Sequence, residues 1–202
     1  MVKFFWNITW LIWHPFLRMF CNFRVYNQQV LTDLREPVIV AIAMHGHRLD
    51  PWIAGAAFPF NTRFFPIYYV TAEKYIKMPL LGLLLRAYGA FPIKIGIGVE
   101  ESLQPAVKHL QSGHTIGIFP EGSLSKENIL RPGKKGTAYL SKTAGVKILP
   151  LALSATRDLS FKNLILRKTN ITAIFGQPYL VEENDLQLAT HVLMQKIQSL
   201  YA

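Results

Sequence analysis

Two kinds of hydrophobic pattern alternate along the chain. Short, continuously apolar runs at 36–44 (EPVIVAIAM), 63–70 (RFFPIYYV), 91–96 (FPIKIG), 115–119 (TIGIF), 148–154 (ILPLALS) and 171–177 (ITAIFGQ) predict strands. Between them, apolar residues recur every three or four positions and predict helices at 51–58, 71–77, 79–88, 101–112, 134–144 and 184–200. The last of these puts Leu186, Thr190, Leu193 and Ile197 on one stripe. Runs that are apolar throughout suit strands covered on both faces. The alternation therefore predicts an α/β fold, with a mostly parallel central sheet flanked by helices. The leucine-rich stretch MPLLGLLLRAYG, residues 78–89, is read as a helix buried against that sheet.

The N-terminus follows another pattern. KFFWNITWLIWHPFLRMF, residues 3–20, holds three of the four tryptophans, and Trp6, Trp10, Trp13 and Leu17 fall on one helical face. Asn7, Thr9, His14 and Pro15 interrupt the run. A bilayer span needs about 20 mostly apolar residues, and the run has no small-residue cleavage site of a signal peptide. Residues 1–27 are expected to be an aromatic, amphipathic membrane-associating segment lying in the interface, where tryptophan is favoured and Lys3, Arg18 and Arg24 can reach phosphates, the alternative being a helix that packs on the domain. Residues 28–202 form the main domain.

Composition sharpens this picture. Half of the 202 residues are apolar and the formal net charge is +10. A basic surface favours anionic partners. Apolar content combined with positive charge points to a membrane surface and anionic lipids. Nucleic acid is set aside because the cations are scattered and no binding module accompanies them. The single cysteine, Cys21, builds neither a disulfide framework nor a metal cluster, so no metal site is expected.

The ionisable chemistry collects at strand ends. After the first strand comes MHGHRLDPW, in which His45 has a carboxylate, Asp50, five residues on. A turn could fold Asp50 onto His45, and a carboxylate on one imidazole nitrogen strengthens the other as a base. The plainer alternative is a helix start, with Asp50 as cap and Pro51 at the first helical position. His47 is a second candidate base. After the fourth strand comes IFPEGSLS: Gly122 frees the backbone, successive amides can form an anion-binding concavity, and Ser123 adds a hydroxyl. Arg131, Lys134 and Lys135 follow before a helix opens. The alternative is an ordinary turn with solvated charges. In GAFPIKIG, residues 89–96, Lys94 alone reads as a solvated lysine on a short strand.

Taken together, His45-Gly-His-Arg-Leu-Asp50, Gly89-Ala-Phe-Pro-Ile-Lys94, Phe119-Pro-Glu-Gly-Ser123 and Ile148-Leu-Pro-Leu151 resemble the ordered motifs of the glycerolipid acyltransferases typified by 1-acylglycerol-3-phosphate acyltransferase. The resemblance covers residues 36–177. It implies transfer of a fatty acyl group from acyl-CoA or acyl-carrier protein, as co-substrate and without a cofactor, to the hydroxyl of a lysolipid. It also implies His45 as general base, Asp50 as its orienting carboxylate, and Lys94, Glu121, Gly122, Ser123, Arg131 and Lys134 around the acceptor. Residues 78–89 would then alternatively wall an acyl-chain tunnel. The chain departs from the pattern at Met44 and His47, at Lys94 where arginine is usual, and at Leu124 where arginine is frequent. These departures put the acceptor headgroup in question, with lyso-ornithine lipid or a lysophospholipid as alternatives. The expected place is the cytoplasmic face of the cell membrane, peripheral or monotopic. A non-catalytic membrane-binding protein on the same fold is the competing class.

Overall fold

Ile39–Ala43 (β2) has no exposed side chain, and its burial alternates by face. Val40 and Ile42 enter one core, and Ile39, Ala41 and Ala43 enter another. A two-sided strand of this kind requires a helical layer on each face of the sheet. The computed structural model describes residues 1–34, 37–43, 46–124 and 129–202. Around β2 it places strands β1 (Arg24–Tyr26), β3 (Ile67–Ala72), β4 (Phe91–Ile93), β5 (Thr115–Ile118), β6 (Ile148–Ser154) and β7 (Thr172–Phe175). The helices are α1 (Val2–Cys21), α2 (Asp50–Ala57), α3 (Glu73–Ile76), α4 (Pro79–Ala87), α5 (Val99–Gln111), α6 (Gly136–Ala144), α7 (Phe161–Ile165) and α8 (Leu186–Gln198).

Among the described residues the strands form one seven-stranded sheet in the order β1-β7-β6-β2-β5-β3-β4. Strands β6, β2, β5, β3 and β4 are mutually parallel, while β7 pairs antiparallel with β6 and parallel with β1. The predicted mostly parallel α/β fold is therefore observed. Helices α1 and α2 cover one face, and α5, α6 and α8 cover the other. Local signals set the ends of several helices. Pro51 sits in the first turn of α2, the Asp185 side chain accepts a hydrogen bond from the Gln187 N–H (2.7 Å) at the start of α8, and Gly145 ends α6 in the left-handed region (φ 66°).

Three expectations change. The run at 63–70 starts its strand late, because the chain turns through Phe64 and Phe65 and β3 begins only at Ile67. Strand β1 and helix α7 are additional elements, each too short to carry a period. The third change concerns residues 78–89. The helix is there, but it is not buried: Leu80 is 85% exposed and Leu83 66%, and Gly82 is its buried residue. The cause is position. Helix α4 packs on α3 at the side of the sheet that β4 closes, so only its Leu85 side and Tyr88 reach the core.

Helix α1 packs on α2 with its tryptophan face, the one expected to meet lipid. Trp6 lies flat on Gly55, where any Cβ would stand 2.2 Å from the indole ring. Trp6 Nε1–H donates to Tyr88 O (3.1 Å) and Trp10 Nε1–H to Phe58 O (2.7 Å). The outward side of α1 still presents Phe4, Ile8, Leu11, Ile12 and Met19. Among the described residues no helix is long and apolar enough to cross a membrane.

Candidate active site

The topology selects where a site can form. From β2 the chain crosses to β3 on one side, with α2 over one face. From β5 it crosses to β6 on the other side, with α6 over the opposite face. Strands β2 and β5 are neighbours, so a crevice opens outside their C-terminal ends, the usual ligand position in a doubly wound sheet. The HGHRLD and FPEGS segments both leave the sheet there.

Asp50 sits in the first turn of α2 and is fully buried. Its Oδ2 accepts the His47 N–H at 2.8 Å, and its own N–H donates to His47 O at 3.1 Å. This reciprocal pair closes the turn 47–50. The other end of α2 is held as firmly. Its last carbonyls lack helical partners, and three side chains supply donors: His14 Nδ1–H to Ala56 O (2.8 Å), Gln28 Nε2–H to Ala57 O (2.8 Å) and Trp10 to Phe58 O. The N-terminal helix thus clamps the element that carries Asp50. Of the two roles the sequence reading offered Asp50, helix start and carboxylate partner of His45, the structure shows the first, with the carboxylate buried.

His47 uses its ring differently. Its Nδ1 accepts the Leu49 N–H at 3.2 Å, which leaves the proton of the neutral ring on Nε2 and occupies the lone pair a base would use. Arg48 points to solvent. His45 lies outside the described residues.

Beyond β5, Gly122 N–H donates to Phe119 O (2.9 Å) and Gly122 holds φ 73°. Only glycine adopts that conformation freely. The Glu121 side chain is 1% exposed, and its Oε2 accepts the Arg131 N–H at 3.1 Å. Lys134 N–H donates to Pro120 O (2.8 Å), and Arg131 Nη1–H donates to Leu124 O (3.1 Å). Residues 131–134 therefore fold back along 120–124. The Lys134 side chain lies across Gly122, where a Cβ would come within 2.8 Å of Cδ and Cε and 2.9 Å of Nζ. Glu121, Gly122, Ser123, Arg131 and Lys134 form one cluster: a buried carboxylate under an exposed turn rimmed by two cations. Lys94 is separate. It is exposed, follows edge strand β4, and lies three strands from β2, ~14 Å at the usual inter-strand spacing. Its carbonyl accepts from the Ser102 hydroxyl at 2.6 Å.

Two tyrosines at this end of the sheet escaped the sequence reading. Tyr201 Oη–H is shared between Leu153 O (2.9 Å) and Ala43 O (3.2 Å), so it bridges the C-terminal ends of β6 and β2. Burial, then the Glu121 and Asp50 carboxylates, push its ionisation far above the usual tyrosine range. Tyr69 Oη–H donates to Pro51 O (3.0 Å), and burial followed by Asp50 pushes its ionisation up as well. Both hydroxyls stay protonated and act as donors beside the two buried carboxylates. Nothing local could flag Tyr201, which meets Ala43 across 158 residues of sequence.

The arrangement has known relatives. The family model described as Acyltransferase matches residues 22–154, more than half of the chain. A 1-acyl-sn-glycerol-3-phosphate acyltransferase of Bacillus subtilis is 25% identical over 143 residues, 67% of this chain and 69% of that protein. The protein of the same name from Borreliella burgdorferi is 38% identical over 60 residues, 30% of this chain and 24% of that one. Among solved structures, the 1-acyl-sn-glycerophosphate (LPA) acyltransferase PlsC of Thermotoga maritima superposes with a TM-score of 0.68 at 17% identity, covering 93% of this chain and 75% of that one, a likeness of fold. On the strength of the family match, the chain belongs to the Acyltransferase family and is an enzyme of that class.

Proposed function

We propose that the crevice between β2 and β5 transfers a fatty acyl group from a thioester, acyl-CoA or acyl-carrier protein, to the free hydroxyl of 1-acylglycerol-3-phosphate, giving phosphatidic acid. His45 takes the hydroxyl proton as the oxygen attacks the acyl carbonyl carbon. The C–S bond then breaks and the leaving thiolate takes that proton from His45, which returns to its neutral form. Asp50 orients His45 and stabilises its charged form. Burial and the His47 N–H hold Asp50 in one place, so little reorganisation accompanies the proton transfer. The Gly122–Ser123 turn receives the acceptor phosphate with Arg131 and Lys134 at its rim, Glu121 fixes that turn, and Lys94 meets a more distant part of a substrate. No cofactor takes part. The work is done at the cytoplasmic face of the membrane by a peripheral or monotopic protein, with residues 1–27 as its membrane-associating segment.

One observation carries this reading: a fully buried aspartate, five residues after a histidine, and the FPEGS turn follow the C-terminal ends of two neighbouring parallel strands in a member of the Acyltransferase family. Purified protein should convert lysophosphatidic acid and an acyl thioester to phosphatidic acid. H45A should remove turnover while retaining the wild-type circular dichroism spectrum. Unchanged turnover in H45A would refute the assignment.

A second acceptor class has its own support. Leu124 stands where the family often carries arginine, and Arg131 spends one guanidinium donor on the Leu124 carbonyl. Fewer fixed phosphate donors suit a lysolipid without a terminal phosphate monoester. Competition among lysophosphatidic acid, lysophosphatidylcholine and lyso-ornithine lipid decides between them.

A further inference from the structure

Helix α4 is apolar on the side that faces away from the protein. Leu80, Leu83 and Leu84, spaced i, i+3, i+4, are 85%, 66% and 45% exposed. Just before them, Tyr75 and Met78 are also exposed, at 41% and 48%. The hairpin of α3 and α4 is rigid: Gly82 packs so closely that a Cβ would come within 2.1 Å of Ile76 O. Strands β3 and β4 pair through Ala72 and Ile93, so the segment after β4 leaves the same end of the sheet beside α3. It adds Ile95, 73% exposed, and Ile97, 38% exposed.

A second apolar surface adjoins the first. The C-terminal end of α4 meets α1 through Tyr88, which bonds Thr9 Oγ1 (2.6 Å) and packs on Trp6. Beyond that seam α1 turns Phe4, Leu11 and Ile12 outward. Charge follows the same surface. Residues 70–98 carry Lys74, Lys77, Arg86 and Lys94 against the single acid Glu73, and α1 carries Lys3 and Arg18 with no acid. Lys74 stands over the Tyr75 ring at 5.0 Å, and Lys77 pairs with Glu73 at 3.0 Å.

We infer that the α3–α4 hairpin is a bilayer-docking element that inserts its leucines into an anionic membrane next to the outer face of α1. This rests on the lipid-acyltransferase reading above and adds a second anchor to it. Three features favour a bilayer. Apolar side chains stand at the centre with cations and an aromatic beside them, the arrangement of interfacial helices. A leucine that is 85% exposed protrudes and lines no groove, and a protruding side chain suits a fluid surface better than a folded partner. Exposed apolar side chains also stand on two helices that Tyr88 ties together.

The test is flotation of the full chain with vesicles of phosphatidylcholine and phosphatidylglycerol, against phosphatidylcholine alone. The variant L80S/L83S should bind the anionic vesicles roughly tenfold or more weakly than wild type. High salt should weaken wild-type binding as screening removes the lysine contribution. Independently of stability, L83C carrying an environment-sensitive fluorophore should shift to the blue on vesicles, since Cys21 is buried and leaves position 83 as the reactive thiol. On a short-chain lysolipid dispersed as monomers L80S/L83S should turn over like wild type. Transfer absent in both proteins, with the binding difference intact, would indict the assigned reaction and leave the docking surface standing. Vesicle binding unchanged in L80S/L83S together with no spectral shift at position 83 would overturn the inference. So would a leucine-dependent dimer without lipid binding, or loss of acidic carrier-protein binding with vesicle binding retained.

Discussion

Tyr201→Phe separates positioning from packing at this site. The substitution keeps the ring and removes the hydroxyl that bridges Leu153 O at 2.9 Å and Ala43 O at 3.2 Å. Losing a net hydrogen bond costs about 1 kcal/mol, and leaving a buried carbonyl short of a donor adds about 1–2 kcal/mol. The sum, about 2–3 kcal/mol, corresponds to a fall in Tm of about 4–12 °C for a domain of this size. Calorimetry measures that loss. The kinetic consequence has a different origin. Ala43 is two residues before His45, so the hydroxyl restrains the backbone that delivers the proposed base. A displacement near 1 Å of a reacting group costs on the order of a hundredfold in rate. Y201F should therefore lose about 10- to 100-fold in kcat while KM stays within about twofold, because no substrate contact has been removed. A variant that melts lower with kcat unchanged would show that the bridge is only structural. A variant that melts at the wild-type temperature would show that the bridge contributes nothing.

Two further outcomes follow from the same geometry. Tyr69 and Tyr201 ionise far above the ordinary tyrosine value of 10 in the folded chain, mainly through burial. The unfolded chain therefore releases these protons first as pH rises, and stability is complete below about pH 10 and falls above it by up to about 1.4 kcal/mol per pH unit per tyrosine; denaturant titrations from pH 9 to 11 should show the decline, Y69F should lessen it by one tyrosine's share, and a flat profile for wild type would refute it. Gly122→Ala forces a side chain into the left-handed region at a cost of about 1–2 kcal/mol and pushes Lys134 off the turn; KM for the acceptor should rise more than KM for the thioester, and equal changes in both would separate this turn from acceptor binding.

The sequence made the sheet legible where burial was two-sided. IVAIA and TIGIF are apolar throughout, and β2 and β5 lie within two residues of where those runs predict them at their C-terminal ends. It also brought Asp50 and Glu121 forward, because both stand at strand exits with a proline beside them. It misread MPLLGLLLRAYG, since periodicity reveals an apolar helix without revealing whether a neighbouring layer exists to cover it. The edge position of β4 supplies that answer, and it emerges only from the strand order. His47 looked like a competing base by spacing alone. Its ring is engaged by the Leu49 N–H, a local backbone bond that spacing does not encode. Arg131 and Lys134 were legible as cations, but their return onto Pro120 and Glu121 depends on a backbone pairing across a loop.

The inward tryptophan face of α1 has a spectroscopic consequence. Trp6 and Trp10 are hydrogen-bonded to Tyr88 and Phe58, and Trp6 is stacked 5.3 Å from Phe65. Trp52 meets the same Tyr88 edge-on at 5.6 Å. Intrinsic fluorescence of this chain is dominated by indoles that sense the seam between α1 and α2. Its emission maximum will follow the docking of the first helix onto the domain, and lipid bound to the opposite side, as in the docking proposed above, will leave it almost unmoved.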